Sequence, residues 1–109
     1  MKIMTKYVDA LNRRNVDDLT ALFADDCHFF DKAPRLLVGH DICVQGKEAV
    51  RSFFENLFRE HAVASELLVD MGDRALYNVS VGRMLLRCKA QISVSQGKIQ
   101  SMEIVLRNS

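Results

Sequence analysis

Arg83-Met84-Leu85-Leu86-Arg87-Cys88-Lys89-Ala90-Gln91-Ile92-Ser93-Val94 is the longest stretch of the chain with a period of two. Met84, Leu86, Cys88, Ala90, Ile92 and Val94 fall on one side, and Arg83, Arg87, Lys89, Gln91 and Ser93 on the other. Successive strand residues point to opposite faces, so this pattern predicts a strand with one buried face, and a slip of one residue would bury a row of charges. Downstream, the turn Ser95-Gln96-Gly97-Lys98 leads to a second strand with Met102, Ile104 and Leu106 against Ser101, Glu103 and Arg107. Upstream, Ala75, Tyr77, Val79 and Val81 alternate in the same way. Before the Gly72-Asp73 turn, Leu67, Val69 and Met71 alternate against Glu66 and Asp70. The C-terminal half therefore reads as consecutive antiparallel hairpins.

The N-terminal half has a different period. After Gly46, Val50, Phe53, Phe54, Leu57 and Phe58 follow the spacing of a helix with one apolar face. Met4, Tyr7, Val8 and Leu11 do the same near the start, and Asn15 is placed to cap a second short helix. In that helix Asp17 and Asp18 favour the positive end of the dipole, and Leu19, Leu22 and Phe23 form the apolar stripe. Between the helices, Cys27-His28-Phe29-Phe30-Asp31 is a β-prone run ending at the breaker Lys32-Ala33-Pro34, and residues 36–45 leave a short strand or a loop open. Three helices in the first half and hairpins in the second predict an α+β domain with a curved, mostly antiparallel sheet.

With 109 residues, 49% of them apolar, the chain can build one core, and residues 1–109 are read as one domain. Fifteen basic against 14 acidic residues give no electrostatic reason to expect nucleic acid or an anionic membrane as partner. No apolar run reaches 18 residues and the first turns carry charges, which predicts a soluble, cytoplasmic protein. Cys27, Cys43 and Cys88 are odd in number without C-x-x-C spacing, so reduced thiols are expected. His28, His40 and His61 lack metal-ligand spacing, and no metal is expected.

The order of elements resembles that of nuclear transport factor 2-like proteins. Lys6-Tyr7-Val8, Asp17-Asp18-Leu19, Ala24-Asp25-Asp26, Gly46-Lys47-Glu48-Ala49-Val50 and Gly97-Lys98-Ile99 are similar to recurring marks of the ketosteroid isomerase and SnoaL-type polyketide cyclase branches. The resemblance implies a cone-shaped α+β barrel around an apolar pocket, cofactor-free chemistry on a small lipophilic ligand, and pairing into a homodimer through the outer sheet face. In ketosteroid isomerases a tyrosine of the first helix donates to a developing oxyanion and an aspartate ending the first strand moves the proton. By alignment these roles fall on Tyr7 and Asp31. The second donor of those enzymes, a protonated aspartate, falls on Ala90, or on Lys89 one residue away. The chain is also shorter between Glu60 and Arg83, which implies a shallower or more open pocket.

For Asp31 two readings stand: an inward carboxyl whose pKa rises by desolvation, or a strand-end aspartate that caps backbone donors beside Pro34 or simply faces water. For Tyr7 they are a hydrogen-bond donor in the pocket or a core tyrosine with an ordinary partner. Phe29, Phe54, Phe58, Cys88, Ala90, Met102 and Ile104 are the expected pocket lining. His40 and Asp41 are either a polar pair at the pocket mouth or two solvated loop residues. Two functions follow: a proton-transfer isomerase or cyclase acting beside a carbonyl, or a non-catalytic ligand-binding or interaction module.

Overall fold

Met4, Tyr7, Val8 and Leu11, with Ala10, are the buried stripe of α1, Ile3–Asn12. The chain leaves this helix through Arg14 at φ 54°. Asn15 then caps α2, Val16–Ala21, its side-chain oxygen accepting from the Asp18 N–H at 2.9 Å. A computed structural model of the chain describes residues 2–33, 35 and 39–107, which leaves Pro34 and residues 36–38 of the ambiguous 36–45 stretch outside the described residues. The end of that stretch, Ile42–Gln45, forms a short strand.

Six strands form one sheet in the order β2-β1-β6-β5-β4-β3: β1 Phe23–Asp31, β2 Ile42–Gln45, β3 Val63–Asp70, β4 Arg74–Val81, β5 Met84–Ser95 and β6 Lys98–Leu106. Every pairing is antiparallel except β1 with β6. The helix α3, Lys47–Glu60, buries Val50 and Phe54, while Phe53, Leu57 and Phe58 lie half-buried against the same core. Three helices among the described residues thus cover one face of a curved open sheet, as the two periods require. None of them is long and apolar enough to cross a membrane.

Leu86, Cys88, Ala90 and Ile92 on β5, and Ala75, Tyr77, Val79 and Val81 on β4, are all buried. Three local readings need correction, each where a ladder slips. Phe23 is not part of the α2 stripe but the first residue of β1, paired with Ile99, and the register shifts before His28 pairs with Ser101. That shift leaves Asp25 and Asp26 exposed without turning Cys27 and Phe29 outward. On β3 the register shifts between Leu67 and Val69, so Val69 and Met71 are 44% and 52% exposed while Leu67 stays half-buried. Val94 follows the irregularity between Ser93 and Val94 and is 48% exposed.

Candidate functional site

Inward positions of β1 end on Asp31, whose neighbours across the ladder are Ile42 on β2 and Ile104 on β6. Apolar strands on both sides leave the carboxyl only 9% exposed. Its Oδ1 accepts the Ala33 N–H at 2.8 Å, a turn in which an aspartate ties down the backbone two residues ahead. Both sequence readings therefore meet here, since the side chain is inward and also caps. Burial pushes the Asp31 carboxyl up to about 7; the Ala33 N–H pulls the other way, and the charge of Asp41 adds a smaller upward push. Near neutral pH this acid is present in both protonation states, which is the condition for general acid–base work.

Tyr7 reaches the same place from α1, and Tyr77 from β4; each is 2% exposed, and their rings meet edge-on with centroids 6.3 Å apart. Burial, helped by the nearby Asp31, holds both phenols well above their ordinary pKa, so they remain hydrogen-bond donors across the physiological range. The neighbouring Tyr77 hydroxyl offsets a small part of that rise at Tyr7. Cys88 lies directly across the ladder from Tyr77. Desolvation pushes its thiol up to about 12, a neutral sulfur and a poor nucleophile at pH 7.

Tyr7, Asp31, Tyr77 and Cys88 line one cavity of about 30 Å³, walled otherwise by Leu11, Ala33, Phe53, Phe54, Leu57, Val79, Val81 and Leu86. Of the seven residues expected as lining besides Tyr7 and Asp31, the fold brings Phe54 and Cys88 to the cavity. Phe58 stacks on Phe54 with centroids 5.8 Å apart and lies half-buried behind it. Phe29, Ala90, Met102 and Ile104 are closed into the core. The ladder gives the reason: Ile104 stands between Asp31 and Ala90, and Ala75 covers Ala90 from the far side. The row that opens on the cavity is the next one, with Cys88 beside Tyr77.

Tyr77 is the site residue that sequence reasoning missed. Its inward position was readable from the alternation of β4, and Tyr7 and Tyr77 are the two tyrosines of the chain. Asp41 is half-buried, and its Oδ1 is enclosed without a hydrogen-bond partner among the described residues; His40 is exposed, its Nδ1 2.9 Å from the Asp41 carbonyl oxygen. Among the described residues, no three His, Cys, Asp or Glu side chains converge as a metal site would require. A wider depression of about 400 Å³ on the outer sheet face, between His28, Phe30, Gln91, Ser93, Ser101 and Glu103, is open and gathers no comparable set of buried titratable groups.

The sequence pattern of the SnoaL-like domain family matches residues 4–102. A comparison with curated proteins finds no match. Among solved structures, a nuclear transport factor 2-like protein of unknown function from Burkholderia pseudomallei is 17% identical with a TM-score of 0.77, over 96% of this chain and 88% of that one. A candidate polyketide cyclase from Sinorhizobium meliloti is 24% identical with a TM-score of 0.72, over 94% and 93%. A protein of ketosteroid isomerase-like fold from Catenulispora acidiphila, in complex with trimethylamine, is 18% identical with a TM-score of 0.75, over 98% and 86%. At these identities the likeness is one of fold.

Proposed function

We propose, from the premise that this chain belongs to the SnoaL-like domain family of the nuclear transport factor 2-like superfamily, that it is a cofactor-free isomerase or cyclase acting by proton transfer. The fold is related to ketosteroid isomerases and polyketide cyclases. What carries the reading to this chain is one arrangement: a buried carboxyl titrating near 7 faces two protonated phenols across a single cavity. The substrate is a small lipophilic carbonyl compound. Ionised Asp31 removes a proton from the carbon beside the carbonyl, the electron pair moves onto the oxygen, and the Tyr7 and Tyr77 hydroxyls donate to the oxyanion as it forms. Asp31 then returns the proton to the carbon skeleton at its new position. Tyr77 supplies the second donor that Ala90 cannot.

A cavity of about 30 Å³ has room for water but not for an organic ligand, since ligand pockets generally run from about 300 Å³ upward. Substrate entry therefore requires the half-buried Phe53 and Leu57 to swing outward, which their partial exposure permits. A second reading, a binding module in which the site is occupied without turnover, is favoured by Ala90, which stands where the related enzymes carry a donor. We propose further a cytoplasmic homodimer formed through the outer sheet face, where Arg87, Lys89 and Glu103 present both signs of charge to a two-fold-related copy.

Deuterium exchange from solvent into the α-carbon of small lipophilic ketones and β-dicarbonyls tests the catalytic reading. Exchange catalysed by the wild type should fall by roughly 10²-fold or more in Asp31→Asn. A carbon-13 titration of the Asp31 carboxyl should show a midpoint near 7, and a midpoint near the free value of about 4 would sink the mechanism. Ligand-induced thermal shifts that persist unchanged in Asp31→Asn, without exchange, would establish the binding module instead.

A further inference from the structure

The register shift on the edge strand β3 leaves Val69 exposed, which forfeits apolar burial. Its other effect is on Asp70. Ser65 and Leu67 stand opposite the inward residues Val79 and Tyr77, so strict alternation would put Val69 inward and Asp70 outward. The shift pairs Asp70 with the buried Ala75 instead, and its carboxylate turns to the face on which α1 lies.

There Thr5 Oγ1 donates to Asp70 Oδ2 at 2.6 Å, the Gly72 N–H donates to Oδ1 at 2.8 Å, and Lys2 Nζ donates to the Asp70 backbone oxygen at 3.1 Å. At the other end of the helix, Ser65 Oγ donates to the Val8 carbonyl oxygen at 2.9 Å, and the Ser65 N–H donates to Asn12 Oδ1 at 3.0 Å. Among the described residues, every hydrogen bond between α1 with its cap and the sheet goes to Asp70 or Ser65. The spans match, since the chain from Lys2 to Asn12 advances roughly 15 Å as helix and from Ser65 to Asp70 roughly 16 Å as strand.

Tyr7 lies between these anchors, two residues after Thr5 and one before Val8. Its ring is held by apolar contacts, edge-on to Phe23, Phe54 and Tyr77 with centroids 6.5, 6.2 and 6.3 Å away. Apolar contact is non-directional and tolerates a slide of the helix along the strand, whereas hydrogen bonds at both ends resist it. A slide of about 1 Å matters, because misplacement on that scale can slow a reaction roughly 10²-fold.

We propose that Asp70 and Ser65 are positioning residues for Tyr7: by fixing α1 lengthwise on β3, they keep the Tyr7 hydroxyl in the cavity that Asp31 and Tyr77 line. This rests on the proton-transfer reading of that site and adds to it what holds its donor in place. Neither residue lines the cavity, so each acts through the helix. The bulge belongs to the same device, since it turns Asp70 inward.

The experiment labels the full chain with carbon-13 at the tyrosine ζ carbon, which gives signals from Tyr7 and Tyr77 that are assigned with Tyr77→Phe. Thr5→Val removes the hydroxyl at the Asp70 end, Ser65→Ala the one at the other end, and Thr5→Ser keeps the first. The Tyr7 signal should move in Thr5→Val and in Ser65→Ala, move further in the double variant, and stay at its wild-type position in Thr5→Ser. Deuterium exchange into the same ketones should lose roughly 10²-fold in kcat in the double variant, with KM changed by less than about threefold. A Tyr7 signal that stays in place in the double variant overturns the proposal, even where stability falls, and leaves the chemistry of Asp31 standing. Should the double variant not fold, the single variants decide by the same criterion. A Tyr7 signal that moves, and returns in Thr5→Ser, in a protein without exchange activity supports the positioning and removes the enzyme.

Discussion

Along β1, Phe23 and Phe29 face inward at one end and Asp31 at the other, and the two ends are built for different tasks. Phe23 and Phe29 lie opposite Ile99 and Met102 on β6, and these four are sealed into an apolar cluster with the two rings edge-on at 6.0 Å. Two residues on, the same face of the same strand carries a carboxyl looking at two phenols and a thiol across a cavity. Phe54 joins the ends, with its ring 5.7 Å from Phe29 and 6.2 Å from Tyr7. The first end gains stability from close packing. The second gives some up, since it keeps an acid where burial penalises the charge.

The largest effect is expected at the packed end. Phe29→Ala removes a ring that touches Phe23, Phe53 and Phe54, and the surrounding strands cannot close over the space. A loss of about 3–5 kcal/mol in urea unfolding follows from truncating a buried phenylalanine. A loss below about 1 kcal/mol would mean that this end is as loosely filled as the cavity, and the contrast would fail.

At the polar end the opposite sign is expected. The folded-state pKa of Asp31 is raised from 3.8 to about 7, so between these values the folded chain holds a proton that the unfolded chain has released. Unfolding then releases a proton, stability falls as pH rises through that window, and the penalty is complete above pH 7. Asp31→Asn cannot ionise and should therefore be more stable than wild type by roughly 2–4 kcal/mol at pH 8. The difference should shrink to nothing from this source below about pH 4. Urea unfolding of both proteins at several pH values measures it, and an Asn variant less stable than wild type at pH 8 would show that the carboxylate is an ordinary structural cap.

Sequence patterning made the packed end readable and the polar end only half so. The alternation of β4 and β5 set which side chains face inward, because burial of one face leaves a period-two strand one choice of register. Where a ladder slips, as at Leu67/Val69 and Ser93/Val94, the alternation still looks regular in sequence while the side chains turn, since a bulge leaves no compositional mark at these residues. The site was incomplete for a related reason. Asp31 and Tyr7 came from resemblance, but which inward residues meet around a cavity depends on the stagger between strands. Ala90, level with Asp31, is covered, whereas Cys88 and Tyr77 one row further open onto it. Asp41 lay in a segment whose pattern was ambiguous, and its burial depends on pairing across β2.

The smallest expected effect tests whether the polar end is held by its hydroxyls or by its rings. Tyr77→Phe keeps the edge-on contact with Tyr7 and removes the hydroxyl whose presence tempers the rise of both the Tyr7 phenol and the Cys88 thiol. Packing is unchanged, and the hydroxyl lost faces a cavity that can hold water, so stability should change by no more than about 1 kcal/mol. The electrostatic consequence is separable: without that hydroxyl the Tyr7 phenolate is less stabilised, and its titration, followed by ultraviolet absorbance, should begin at higher pH than in wild type. A stability loss above roughly 2 kcal/mol would place Tyr77 with Phe29 as a packing residue. An unshifted Tyr7 titration would show that the Tyr77 hydroxyl does not act on the Tyr7 phenol, against the convergence of the two hydroxyls that the two-donor site requires.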